Sequence, residues 1–203
     1  MPRVGTPREP GQASTPRQLA RNAAILGAAA RLGTLHGLER VQMADIAAEA
    51  GVALGTLYRY YPTKHHLYAA ALASSIRAMP EPTGIPDDPV VAVCGFLGEA
   101  ADRLLAQPRL ARAMLVSINA IRSSADAPAD LSTRERILAM AGVVEPTDED
   151  HRLARLVEQC MYGILTWATA GQLDAQSAVA DVRYACELLL APWNERVAGT
   201  RHV

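Results

Sequence analysis

The chain has 203 residues, half of them apolar and a fifth charged, the balance of a water-soluble protein with one large or two small domains. No run of eighteen apolar residues occurs, so no membrane-spanning helix is expected. The net charge of −1 hides an asymmetry: residues 1–80 carry nine Arg/Lys against four Asp/Glu, and residues 81–203 carry eleven against seventeen. A basic first part joined to an acidic remainder suits a DNA-binding head on a body that avoids DNA.

Residues 1–16, MPRVGTPREPGQASTP, hold four prolines and two glycines and almost no large apolar groups, so a disordered arm is expected. It also lacks the apolar stretch of a secretory signal, so a cytoplasmic location is expected. Arg3 and Arg8 could reach a DNA groove from such an arm or could simply be solvated. From Arg17 to about Leu35 the pattern turns helical. Leu19, Ala23, Leu26 and Ala30 recur at i, i+4, i+7 and i+11, Thr15 or Pro16 starts the helix, and Gly37 follows its end.

The most informative stretch is Gln42 to Lys64, QMADIAAEAGVALGTLYRYYPTK. Ile46, Ala47 and Ala50 give a short first helix one apolar face, and Gly51 stands where that helix must stop. Val52 and Leu57 can pack back on it, which leaves Leu54, Gly55, Thr56, Tyr58 and Arg59 on or near the outer surface of a second helix. Pro62 ends that helix, and Thr63 is placed to cap a third that begins at Lys64. Helix, glycine turn, helix is the helix-turn-helix pattern. Its outer face carries hydroxyls (Thr56, Tyr58), a guanidinium (Arg59) and an ammonium (Lys64), the groups that hold DNA phosphates. Gly55, without a Cβ, would let the backbone approach a partner closely. Tyr61 is expected to pack inside, and Tyr60 to face DNA beside Tyr58.

AGVALGTLYRYYPTK resembles the signature of the TetR family of bacterial transcriptional regulators, AGVSxGTLYxYFxxK, with specific similarity over about residues 19–72. Ala53 stands where the family often has a capping Ser, and Leu54 where it often has a polar or basic base-reading residue. An Ala cap costs about 1 kcal/mol against Ser. VQMADIAAEAGVALGTLYRYYPTKHHL is further similar to the KstR-type subgroup, which controls genes of steroid catabolism, and EPTDEDHRLARLVEQCMYGILTWATA adds to that likeness. The resemblance implies that the first helix braces the helix-turn-helix. Arg17, Arg21 and Gln42 then become phosphate-contact candidates, and the expected DNA-binding set is completed by Ala53, Leu54, Gly55, Thr56, Tyr58, Arg59, Tyr60 and Lys64.

After Lys64 a fourth helix continues, with Leu67 and Ala71 facing the head. Adjacent His65 and His66 point in different directions and make no metal pair. Prolines at residues 80–89 break this helix and open a second domain, expected to span 80–195 after a head at 17–79 and before a tail at 196–203. Val90–Leu105, Leu110–Ile121, Thr133–Ala141 and two long final helices follow, with a polar loop at 122–132. No alternating strand pattern appears, so the fold is all-α, with about nine helices. Leu153, Val157, Cys160, Met161, Ile164 and Ala168 mark the first of the final pair, and Val179, Val182, Cys186, Leu189 and Trp193 the second. Both are too apolar to bury one face alone, which implies a partner. The family's twofold four-helix bundle implies a homodimer through them.

The resemblance also implies a small-molecule pocket among the middle helices, with no cofactor. Phe96, Met114, Met140, Met161, Tyr162 and Trp167 could line it as adaptable apolar walls. Trp167 could equally serve the dimer bundle, and each could be plain core. A lipid, sterol or acyl-CoA would suit such a lining better than a sugar. Arg109, Arg112 or Arg122 could hold an anionic group, and spacing does not select among them. Asp148, Glu149, Asp150 and His151 cluster where a helix starts, a place where the dipole favours acids. No phosphate loop, nucleophile motif or metal pair accompanies them, so catalysis is not expected. Cys94, Cys160 and Cys186 fall in apolar helical contexts and read as buried thiols.

Overall fold

The structure, a computed structural model, describes residues 15–81, 86–123 and 132–200. The expected arm with Arg3 and Arg8, most of the 122–132 loop and the end of the tail lie outside the described residues. Those residues form nine helices and no strand: α1 (Pro16–Arg40), α2 (Met43–Glu49), α3 (Leu54–Tyr60), α4 (Lys64–Arg77), α5 (Pro89–Leu105), α6 (Pro108–Arg122), α7 (Ser132–Met140), α8 (Asp148–Thr169) and α9 (Ala175–Thr200).

Local chemistry explains the boundaries of the head. Thr15 and Gln18 form a reciprocal capping box at the start of α1. Gly37, at φ +72°, breaks the helical path of α1 near its end. Gly51, at φ +65°, makes the turn between α2 and α3. Thr63 accepts from the His66 backbone N–H at 3.3 Å and caps α4. Pro108 starts α6 at its first turn.

The face that α1 buries differs from the expected one. Leu19 and Ala23 are exposed, whereas Ile25, Ala28, Ala29 and Gly33 are buried. Small residues win because α1 is approached closely. A Cβ built on Gly33 would come within 2.8 Å of the Tyr68 ring and 2.9 Å of Leu110. Tyr68, fully buried on α4, donates its hydroxyl to the Ala29 carbonyl at 3.0 Å. Gly33, Tyr68 and Leu110 thus lock α1, α4 and α6 together. The apolar core of the head, built on Ile25, Ile46, Leu57 and Leu67, consequently takes in Leu110, Ala113 and Met114 from α6.

A second core joins α5, α7, α8 and α9 around Val93, Leu97, Ile137, Val157, Val182 and Leu190. Asp150 ties it at one end. One carboxylate oxygen accepts from Thr147 N–H (2.9 Å) and hydroxyl (2.7 Å), and the other from the buried indole N–H of Trp193 (2.7 Å). The acidic cluster at the start of α8 is therefore a cap plus a buried tie to α9, not a solvated turn alone. Arg136 of α7 ties the other end. Its guanidinium donates to the carbonyls of Met79 (2.6 Å) and Pro80 just past α4, pairs with Glu81, and lies over the Phe96 ring.

Candidate nucleic-acid interface and effector cavity

α3 is held by its inner side. Leu57 is fully buried, and Tyr60, three residues on, is 8% exposed, so both point into the head core. The opposite side presents Ala53, Leu54, Gly55, Tyr58 (47% exposed) and Arg59, with Thr56 at the edge. A Cβ on Gly55 would meet nothing within 4 Å, so the backbone there is open to a close partner. Ala53 sits at the N-cap of α3 and supplies no side-chain cap; its carbonyl takes the Thr56 and Leu57 N–H groups. Gln42 is exposed at the start of α2, where its N–H donates to the Asp45 carboxylate at 3.3 Å. Arg17 is exposed and Arg21 half-buried on the first turns of α1. No acidic side chain lies on α3, so nothing there repels a phosphate.

Two interface expectations change. Tyr60 is withdrawn from the DNA face, because helical spacing puts it on the side of Leu57. The Arg59 guanidinium lies 5.8 Å from its ring centroid. Lys64 does not extend to solvent. Its ammonium donates to the Leu38 carbonyl at 2.5 Å and the Val41 carbonyl at 3.0 Å. Carbonyls at a helix end lack intrahelical partners, and a cation satisfies both them and the dipole. Tyr61 packs as expected, with its hydroxyl on Asn22 at 2.5 Å, and burial pushes its pKa up.

A cavity of about 530 Å³ lies between α4, α5, α6, α7 and α8. Leu72 and Ile76 of α4, Leu104 of α5, and Leu110, Met114 and Ile118 of α6 supply much of its apolar wall. α8 contributes Glu158, Met161, Tyr162 and Leu165, the i, i+3, i+4, i+7 set of one helical face. Met114, Met161 and Tyr162 of the expected lining are therefore present. The other three are elsewhere. Phe96 is buried in the body core beneath Arg136, and Met140 packs against that core. Trp167 is 64% exposed on another face of α8.

Arg122 is the arginine that reaches the cavity. Arg109 and Arg112 border a separate, smaller hollow against the end of α1, where Arg109 donates to the Leu35 carbonyl. Arg122 joins two residues that sequence reasoning missed. Glu158, nearly buried, accepts from Arg122 Nη2 at 3.0 Å and Arg134 Nε at 2.6 Å. Arg122 also lies over the Tyr162 ring, whose hydroxyl donates to the Leu115 carbonyl at 3.0 Å. A signal for Glu158 existed: it is the one charge on an otherwise apolar helical face. Arg134 has no local signal, since it meets Glu158 across 24 positions of sequence.

α8 and α9 retain apolar groups that this chain does not cover. Leu156, Trp167, Tyr184 (62% exposed) and Leu188 (60%) face outward. Among the described residues no group of three or more His, Cys, Asp or Glu could hold a metal ion, and no helix is long and apolar enough to cross a membrane. His65 contacts the buried Ser117 hydroxyl at 3.2 Å, across the α4–α6 seam. Cys94 and Cys186 are buried, and burial raises both thiol pKa values.

These features define a helix-turn-helix DNA-binding protein whose second half encloses a small-molecule-sized cavity. The chain belongs to the TetR family. Residues 25–71 match the bacterial regulatory proteins of the tetR family, and residues 87–189 match the tetracyclin repressor-like C-terminal domain. It is 30% identical over 189 residues to the HTH-type transcriptional repressor KstR of Rhodococcus jostii, covering 90% of this chain and 89% of that one. The KstR repressor of Mycobacterium tuberculosis is 31% identical over 166 residues, 75% of this chain and 73% of its own. Among solved structures, a TetR transcriptional regulator from Rhodococcus sp. RHA1 superposes with a TM-score of 0.76 at 40% identity, covering 85% of this chain and 96% of that one. Thermus thermophilus FadR, a TetR-family repressor solved with lauroyl-CoA, shares the fold at a TM-score of 0.58 and 18% identity, over 83% and 93% of the two chains.

Proposed function

We propose that this chain is a homodimeric repressor that binds a palindromic operator and releases it when a hydrophobic small molecule enters the cavity. The observation that carries this reading is a shared wall. Leu110 and Met114 line the cavity and are also part of the apolar core of the head. α4, which leads directly out of the helix-turn-helix, forms another side. A ligand that favours one placement of α4 and α6 therefore also favours one placement of the head. It can shift the balance only through its different affinity for the two states.

The head is residues 17–79 and the body 80–195. Arg17, Arg21, Gln42, Ala53, Leu54, Gly55, Thr56, Tyr58 and Arg59 are the residues assigned to DNA. The outward apolar faces of α8 and α9 pair with those of a second copy, which sets two α3 helices about one DNA turn (~34 Å) or a multiple apart. The apolar lining, together with the resemblance to KstR-type regulators of steroid catabolism, favours an effector of the steroid or acyl-CoA type.

Selection of genomic fragments by the purified full-length chain, followed by footprinting over a salt series, tests the reading. A protected palindrome with affinity falling steeply as salt rises is expected. Weak binding, equal on every fragment, would instead indicate a helical small-molecule-binding protein whose head has lost specificity.

A further inference from the structure

Besides Ser75, Gln107 and Arg103, the last paired with Glu99, the cavity holds one cluster of charged groups. The α4, α5 and α6 walls are mostly Leu, Ile, Met and Ala, while Arg122, Arg134 and Glu158 meet where α6, α7 and α8 converge. Two guanidiniums share one carboxylate, so the cluster carries a net charge of +1. Glu158 uses one nitrogen of each arginine. The remaining N–H groups of both make no hydrogen bond to the described residues, and those of Arg134 are not sealed from solvent. Among the described residues the cluster holds one more guanidinium than carboxylate.

We propose that the Arg122–Arg134–Glu158 cluster is the headgroup site of the cavity, and that the effector is an apolar carboxylic acid with its carboxylate on the two guanidiniums. Planar forks of N–H donors match a carboxylate bidentately. At roughly 30 Å³ per water-sized group, the cavity of about 530 Å³ accommodates roughly eighteen heavy atoms, a long-chain or compact polycyclic acid. The hydrocarbon then lies against Leu72, Ile76 and Leu110, the walls shared with the head. Glu158 holds the arginines in place and, through its own charge, limits how tightly the acid binds. The inference rests on the hydrophobic-effector reading above and replaces its acyl-CoA alternative with a free acid.

The test is calorimetric titration of the full-length chain at pH 7.5 with dodecanoate, 1-dodecanol and dodecanoyl-CoA. Dodecanoate should bind roughly ten- to a hundredfold more tightly than the alcohol, the worth of hydrogen bonds to a charged group. Arg122→Gln should bring the acid down towards the alcohol, with Arg122→Lys restoring part of the difference. Glu158→Gln should tighten the acid and leave the alcohol unchanged, a gain that a merely structural role would not produce. Equal binding of acid and alcohol, or an acid weakened by Glu158→Gln, overturns the headgroup site while leaving an apolar effector intact. A CoA ester that binds more tightly than the acid and is indifferent to both substitutions places the recognised anion elsewhere and overturns it too. Binding of none of the three overturns both the headgroup site and the hydrophobic effector, whereas the DNA-binding head is judged separately by footprinting.

Discussion

Gly33→Ala probes the seam between head and cavity with a single methyl group. The new Cβ would stand 2.8 Å from Tyr68 Cε1, 2.9 Å from Leu110 Cδ1 and 3.0 Å from the Tyr68 hydroxyl. Tyr68 is fully buried and its ring has no open space to move into, so the clash falls mainly on it, whereas Leu110 can turn its chain end toward the cavity. Overpacking of this kind costs about 1–3 kcal/mol. Displacement of Tyr68 also weakens its bond to the Ala29 carbonyl, about 1 kcal/mol more. Alanine returns only about 0.5–1 kcal/mol of helix propensity. The net loss is about 2 kcal/mol, or roughly 4–8 °C in Tm at 2–4 °C per kcal/mol for a chain of this size. Because Leu110 also lines the cavity, the variant should lose affinity for operator and apolar ligand together. Urea and thermal unfolding measure the first effect. A variant as stable as the parent, or more so, would refute the close packing of α1, α4 and α6 from which the coupling is argued.

Burial holds the Tyr68 hydroxyl at a pKa of about 12, against 10.0 in the unfolded chain. The folded state therefore keeps a proton that the unfolded state sheds. This contribution to stability is complete below pH 10 and is lost as pH rises through 12, to about 3 kcal/mol at 1.36 kcal/mol per unit. Tyr68→Phe should cost about 1 kcal/mol at pH 8, yet show a shallower alkaline limb when urea unfolding is repeated at pH 11. Lys64→Met leaves the Leu38 and Val41 carbonyls without their ammonium and should lower stability by about 1–2 kcal/mol without DNA present. Unchanged unfolding with weakened DNA binding would return Lys64 to the role of a phosphate contact. Leu188→Glu puts a charge into the outward apolar face of α9. Sedimentation equilibrium should then find monomer with helical content retained, and an undiminished dimer would move the interface elsewhere.

The head was legible in the sequence because its signals are local. Thr15, Gly51, Pro62 and Thr63 punctuate helices through their own backbone preferences, and Leu57 with Tyr58 divides α3 into inside and outside. Tyr60 was placed beside Tyr58 on the outer face, although its i, i+3 relation to the buried Leu57 turns it inward. Lys64 was misplaced because its partners, Leu38 and Val41, are carbonyls at a helix end that no side-chain pattern displays. The cavity was half legible. Met161 and Tyr162 announced an apolar face of α8, but that helix has a core face, a cavity face and an outward face. Hydrophobicity alone cannot say that Trp167 belongs to the last. Arg134 and Glu158 meet only after α7 folds against α8, so tertiary structure alone could reveal them.

Effector control of this repressor requires that filling the cavity move the head. Ile118→Trp would place an indole in the cavity from α6 without touching α3, and operator affinity of this variant can be measured against the parent by fluorescence anisotropy. Operator affinity should fall by at least tenfold while the variant remains a folded dimer and no longer takes up dodecanoate. Unchanged operator affinity in a variant that excludes dodecanoate would show that cavity and head are energetically independent, and would contradict the account.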